Sequence, residues 1–276
     1  MEREGERMPS DAGDSRTAHR DSRAAPVARE RLARRIDPAT TALLTVECQQ
    51  GVVGPGSALP ELAAEARSSG ALAAVARLVA AAHTAGVQVL HAVAERRPDG
   101  RGTGRNAPLL RAAERLPVRQ YSGTAAVRIA PPIEPAAGDI VVRRLHGLTP
   151  LAGTGVDGML RHLGCRTLLI AGVSANVAVP NAVFDAVNLG YTAVVASDAV
   201  AGVPADYTPA MIRHTLALVA TIATSDEIIA CWAAGSGSRD DMQADDTSAG
   251  SGSADDTSTD GMSADGTAPG GPATPV

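Results

Sequence analysis

The chain contains no lysine; all 25 of its basic residues are arginine. No side-chain amine is therefore present to act as a base, a Schiff-base former or a charge partner. Arginine supplies charge but cannot accept a proton. With abundant Ala, Gly and Pro, this pattern reads as codon bias in a GC-rich genome. Cysteine is scarce as well: Cys48, Cys165 and Cys231 stand far apart, without CxxC or Cys/His ligand spacing. No metal is expected from such a set. An odd number of cysteines and a polar N-terminus without an apolar signal core lead to the expectation of a reduced, cytoplasmic protein. No apolar run approaches the ~20 residues of a membrane span, so no membrane partner is expected. No glycine-rich GxGxxG or GxxxxGK[ST] pattern follows an apolar run, which disfavours dinucleotide and P-loop chemistry, and no cofactor is expected.

The two ends have too little apolar content to offset an ordering entropy of ~1–2 kcal/mol per residue. Residues 1–36 are rich in Arg, Glu, Asp and Ser, and residues 233–276 in Gly, Ser, Asp, Thr, Ala and Pro, with an imperfect repeat in SAGSGSADDTSTDGMSADGT. Both are read as disordered. Residues 37–232 remain as one domain with a proper core. The tail from 233 carries eight Asp against one Arg, and the stretch through Asp37 nine Arg against eight acids. With −5 on the whole chain, the middle is nearly neutral, leaving no electrostatic footprint for nucleic acid.

Within the middle, strand and helix patterns alternate. Apolar runs at 41–47, 87–93, 139–144, 167–171, 192–197 and 219–224 read as strands. Helical periodicity covers 61–85, 155–163, the stretch after Gly172 to Gly190, and 209–220, with a shorter helix at 106–115. The segments 52–60 and 95–104 read as loops, the latter charged and Gly-rich enough to be a lid. Alternation of this kind predicts a three-layer α/β/α fold on a parallel, doubly wound, six-stranded sheet. Ligands in such sheets bind beyond the carboxyl ends of the strands, so chemistry is sought after Val46, Val93, Val142, Ala171 and Ala196.

Three motifs stand at those ends: Val46-Glu47-Cys48-Gln49-Gln50-Gly51 after the first strand, Thr149-Pro150-Leu151-Ala152-Gly153-Thr154 after the third, and Gly172-Val173-Ser174-Ala175-Asn176-Val177-Ala178-Val179 after the fourth. The last continues through D-A-V-N-L-G-Y to V-V-A-S-D-A. Their order and spacing over about residues 37–232 resemble the isochorismatase-like (cysteine hydrolase) superfamily. That resemblance implies a general acid/base and a glutamine at Glu47 and Gln49, with Glu standing where the family has Asp. It implies a lysine near Arg144 or Leu145, and a nucleophilic cysteine at the position of Ala178. The chain thus reads as an atypical member without the catalytic Cys and Lys. A carboxylate after an apolar strand is costly to bury unless it is bonded, and burial suits it to proton transfer. Arg144 could neutralise charge there, and His146 is the other candidate. Cys48 follows Glu47 but points to the opposite face at strand period.

The resemblance also implies a cis peptide after Val173 and an oxyanion hole of backbone N–H groups at the helix start. The site is therefore sought among Glu47 and Arg144 as catalytic residues, with Gln49, His91, His146, Val173, Ser174, Asn176 and Ala178 binding substrate. The expected activity is hydrolysis of a small molecule at a C–N amide or vinyl ether bond, without a cysteine nucleophile and with Glu47 as general acid/base. The competing expectation is a degenerate scaffold that binds a small ligand or protein partner. By resemblance the chain is expected to form a homo-oligomer.

Overall fold

The structure, a computed structural model, describes residues 26–246, with side-chain surroundings through residue 235. Residues 1–25 and 247–276, within the ends read as disordered, lie outside the described residues. A first compact unit runs to Ser238 and holds the entire sheet; of the second, Arg239–Val276, the described residues continue the last helix.

Helix α1 covers residues 26–35 and is followed by β1 (Thr41–Val46), α2 (Gln50–Val53), α3 (Pro60–Ser68), α4 (Ala71–Ala85), β2 (Gln88–Ala94), α5 (Pro108–Ala113) and β3 (Ile140–Arg144). The second half comprises α6 (Val156–His162), β4 (Thr167–Val173), α7 (Ala178–Asn188), β5 (Thr192–Ala201), α8 (Tyr207–His214), β6 (Thr221–Ala223) and α9 (Ser225–Asp246). The six strands are all parallel, in the order β3-β2-β1-β4-β5-β6. One apolar layer joins α1, α3, α4 and the start of α9 to one face, and the other joins α6, α7 and Leu216 to the opposite face. β1 and β4 are buried along their whole length, as strands covered on both faces must be. The three-layer doubly wound fold expected from the sequence is the observed one.

Winding reverses between β1 and β4, which is where such sheets open a crevice at their carboxyl ends. Glu47 lies just past β1, and the Ser174–Ala178 turn just past β4. Gly172 makes their approach possible: at φ 116° it lies so close to β1 that a Cβ there would meet the Val46 carbonyl oxygen at 2.3 Å.

Several expectations are corrected. Residues 26–35 are helical rather than disordered: Leu32 and Ile36 are buried, Arg29 donates to the Ala230 carbonyl (3.1 Å), and the Trp232 indole N–H donates to the Ile36 carbonyl (2.9 Å). Docking onto α9 supplies the stability that so short a helix lacks alone. Likewise α9 continues beyond 233 to Asp246. The helix expected over 61–85 is two helices, broken at Gly70 with φ 80°. The helix expected over 209–220 stops at His214, with a 3₁₀ turn at Leu216–Leu218. Part of the loop expected at 52–60 belongs to α2. β5 runs on to Ala201 across a register shift, bringing Asp198 over the N-terminus of α9, where its carboxylate accepts from the Ser225 N–H (2.7 Å) and hydroxyl (2.5 Å).

Candidate active site

Glu47 leaves β1 in the left-handed region, with φ 51°, the only non-glycine residue at positive φ among those described. Its own N–H donates to the Ala92 carbonyl (2.8 Å), so the backbone is anchored while the chain turns. Conformations of this kind cost ~1–3 kcal/mol and persist where the surroundings over-determine them. The result is a carboxylate aimed over the ends of the strands. Arg144, the last residue of β3, meets it there: its guanidinium pairs with the Glu47 carboxylate and also donates to the Gly147 carbonyl. Both side chains are largely withdrawn from water, at 12% and 18% exposure.

A cavity of about 190 Å³ opens beside this pair. Glu47, Arg144 and His146 line it from the β1 and β3 ends, and Ser174, Val177 and Ala178 from the β4 turn. Leu59 and Leu62, and Leu109 and Leu110 of α5, add an apolar lining. The cavity is smaller than the ~300 Å³ at the low end for drug-sized ligands. α5 contributes no buried residue, and Leu109 is 52% exposed, as expected of a cover rather than a core helix.

The β4–α7 turn contains a cis Val173–Ser174 peptide, in agreement with the expectation at that bond. Within the turn the Ala175 N–H donates to Ala201, and the Val177 and Val179 N–H groups donate to Ser174. The N–H groups of Asn176 and Ala178 have no acceptor among the described residues. They stand at the N-terminal end of α7, where the helix dipole favours negative charge.

Four residues sought as substrate-binding do not line this cavity, and their side chains are engaged within the protein. Gln49 is fully buried: its amide donates to the carbonyls of Ala94 (2.9 Å) and Ala126 (3.2 Å) and accepts from the Ala94 N–H (2.7 Å), clamping β2 to the following segment. Val173 belongs to the core layer of α4. The Asn176 amide is spent on both backbone groups of Val203, at 2.6 and 3.0 Å. His91, mid-strand in β2, is fully buried between the Thr45 hydroxyl (2.7 Å) and Asp139 (3.1 Å); His83 of α4 reaches the other oxygen of the same carboxylate (2.9 Å).

This cluster predicts the acid limit of stability. Burial pushes the His91 pKa down, only partly countered by Asp139, so the imidazole is neutral in the fold. Burial pushes Asp139 the other way, but the Ala136 N–H and both histidines hold it below the ordinary carboxylate value. An unfolded histidine takes up a proton as pH falls through ~6.5, and folded His91 does not, so stability declines below that pH. Asp139 adds a second loss nearer pH ~4, as protonation takes away its acceptor role. Thermal melts from pH 7.5 to 4 are expected to show Tm falling from the first step; a flat Tm down to pH 5 would contradict the assignment.

Cys48 is buried beneath Gly172, and its pKa is pushed up to about 12 by burial first and by the Glu47 charge second. Cys165 and Cys231 are also buried and raised by burial. Folded protein at pH 8 is therefore expected to resist iodoacetamide, with three thiols labelled only after denaturation. Rapid labelling of Cys48 in the native state would revive it as a nucleophile.

The cavity also contains Glu95, Arg96 and Gln120, which were not among the site residues expected from the sequence. Glu95 accepts from Ser122 (3.0 Å) and pairs with Arg143 (2.8 Å). Glu95 and Arg96 directly follow β2, so the strand-end rule could have found them; nothing local marks Gln120 or α5.

An isochorismatase domain matches residues 41–227, spanning both the sheet and the cavity. The chain belongs to the isochorismatase family. It is 29% identical over 176 residues to the ureidoacrylate amidohydrolase RutB of Methylobacterium radiotolerans, covering 59% of this chain and 68% of that protein. Among solved structures it is similar to a cysteine hydrolase from Pseudomonas syringae pv. phaseolicola (TM-score 0.64, 22% identity, 72% of this chain and 95% of that one). It is also similar to an isochorismatase family protein from Desulfovibrio vulgaris (TM-score 0.59, 26% identity, 74% and 98%).

Proposed function

We propose that this isochorismatase-family hydrolase cleaves the C–N bond of a small amide or ureide by direct attack of water, with Glu47 as the general base and then the general acid. The observation that carries the reading is that Glu47, Arg144 and the Ser174–Ala178 turn line one cavity. Ala178 has no nucleophilic atom, and it lines the same cavity as the Glu47 carboxylate. A water held there gives its proton to Glu47 while its oxygen bonds to the carbonyl carbon. The oxyanion that forms falls to the open N–H of Ala178, which lines the cavity at the helix start. Glu47 then returns the proton to the departing nitrogen, and the C–N bond breaks. Arg144 orients the carboxylate and offsets its charge without taking a proton. The amidohydrolase relative supports an amide-type substrate over a vinyl ether.

A second reading is a binding scaffold without turnover, favoured by the closed Glu47–Arg144 pair. Purified protein and Glu47→Gln are incubated with primary amides, ureides and vinyl ethers, and product is followed by chromatography. Turnover that is lost in the variant is the expected outcome. No turnover of any compound, with a ligand still bound, would sink the hydrolase.

A further inference from the structure

Charges in and around the cavity do not balance. Glu47 is matched by Arg144, and Glu95 by Arg143 on its outer side. Arg96 also faces the cavity and has no ion-pair partner among the described residues. Its side chain has one acceptor, the Leu110 carbonyl of α5 at 3.3 Å, for five N–H donors. The acid whose charge reaches it, Glu114, is held by Arg105 at 2.7 Å. Arg96 is half-buried among apolar residues, and burial, with Arg144 and Arg119 nearby, presses against its charge. Its backbone is fixed, its N–H donating to Gln120 (2.8 Å) and its carbonyl accepting from Ser122 (2.9 Å). A rigidly based, half-desolvated guanidinium without an anion, beneath a cover helix, is the chemistry of a carboxylate-binding subsite.

We infer that Arg96 binds a carboxylate of the substrate, which makes the substrate a small amido or ureido acid rather than a neutral amide. In this arrangement the reactive carbonyl lies over Glu47 and the turn while the acid group meets Arg96, which lines the same cavity. Binding of the acid completes the charge balance under α5 and replaces water around the guanidinium. The amido part of this inference rests on the proposed hydrolysis; the carboxylate part rests on Arg96 alone.

Two measurements separate them. Turnover of ureidopropionate is compared with its methyl ester in the native protein, Arg96→Gln and Arg96→Lys. Binding of levulinate, a keto acid with no C–N bond to cleave, is compared with methyl levulinate by calorimetry. The preference for acid over ester is expected to fall roughly 30-fold in Arg96→Gln, mostly through KM, and less in Arg96→Lys, as befits a lost charge-assisted hydrogen bond. Levulinate affinity should fall in parallel. If nothing is hydrolysed but levulinate binds in an Arg96-dependent way, the hydrolase reading fails and the carboxylate subsite stands. If the native protein does not prefer acid over ester, or if the variant weakens both equally, Arg96 is only an anchor for α5 and the inference is overturned. Should Arg96→Gln fail to fold, Arg96→Lys and the native protein's own acid-over-ester preference decide the matter.

Discussion

Replacing Glu47 by Gln is expected to lower kcat about 10³-fold, within the ~10²–10⁴ range for a general acid/base. The amide keeps the shape of the side chain and can still accept from Arg144, but it leaves that guanidinium without its counter-charge, so a loss of stability is expected alongside the loss of kcat. Removing the proton-transfer capacity while keeping the shape is what makes the variant diagnostic. Glu47→Asp should fall between the two: the carboxylate remains, but about 1 Å of retraction costs up to ~10²-fold where geometry is tight. Steady-state kinetics with a circular dichroism control checks both. A Gln variant with a third or more of the native kcat would remove Glu47 from the chemistry.

The largest effect on stability is expected at Gly172. An added Cβ would lie 2.3 Å from the Val46 carbonyl oxygen and 2.7 Å from the Val46 nitrogen, both backbone atoms of the neighbouring strand, at a φ of 116°. Neither atom can retreat without opening the β1–β4 ladder where Val46 pairs with Gly172. Gly172→Ala should therefore cost on the order of 3 kcal/mol or more, a Tm loss of roughly 6–12 °C for a domain of this size. Gly190→Ala is the control: its φ is also positive, at 88°, but nothing lies within 4 Å of the added carbon. Backbone strain alone, ~1–2 kcal/mol, is expected there. Equal melting shifts for the two variants would show that the close approach at Gly172 carries no energy of its own.

The same contrast separates what was legible in the chain from what was not. Strands such as Thr41–Val46 and Thr167–Val173 were readable because each is predominantly apolar, as burial on both faces favours. Glu47, Ser174 and Ala178 were readable as positions facing the cavity because they lie just beyond the ends of those strands. Gln49, His91 and Asn176 do not line the cavity, and the sequence did not reveal this for one reason: a polar side chain near a strand end looks the same in sequence whether it meets a ligand or the protein itself. All three are spent internally, on Ala94 and Ala126, on Thr45 and Asp139, and on Val203. Helix α1 escaped notice because its stability comes from Trp232 and Ala230, about 200 residues away along the chain.

By itself, then, the sequence determined the alternating fold and the absence of lysine chemistry, and its motifs carried the family resemblance. These are properties of composition and local period, which no folding event can alter. Tertiary structure alone decided which charges meet. Arg144 and Glu47 stand 97 positions apart yet form one ion pair, while Arg96, next in the chain to paired Glu95, has no ion-pair partner among the described residues. Coulomb energy depends on distance through space and on the surrounding water, and both are set only when β1, β2 and β3 lie side by side.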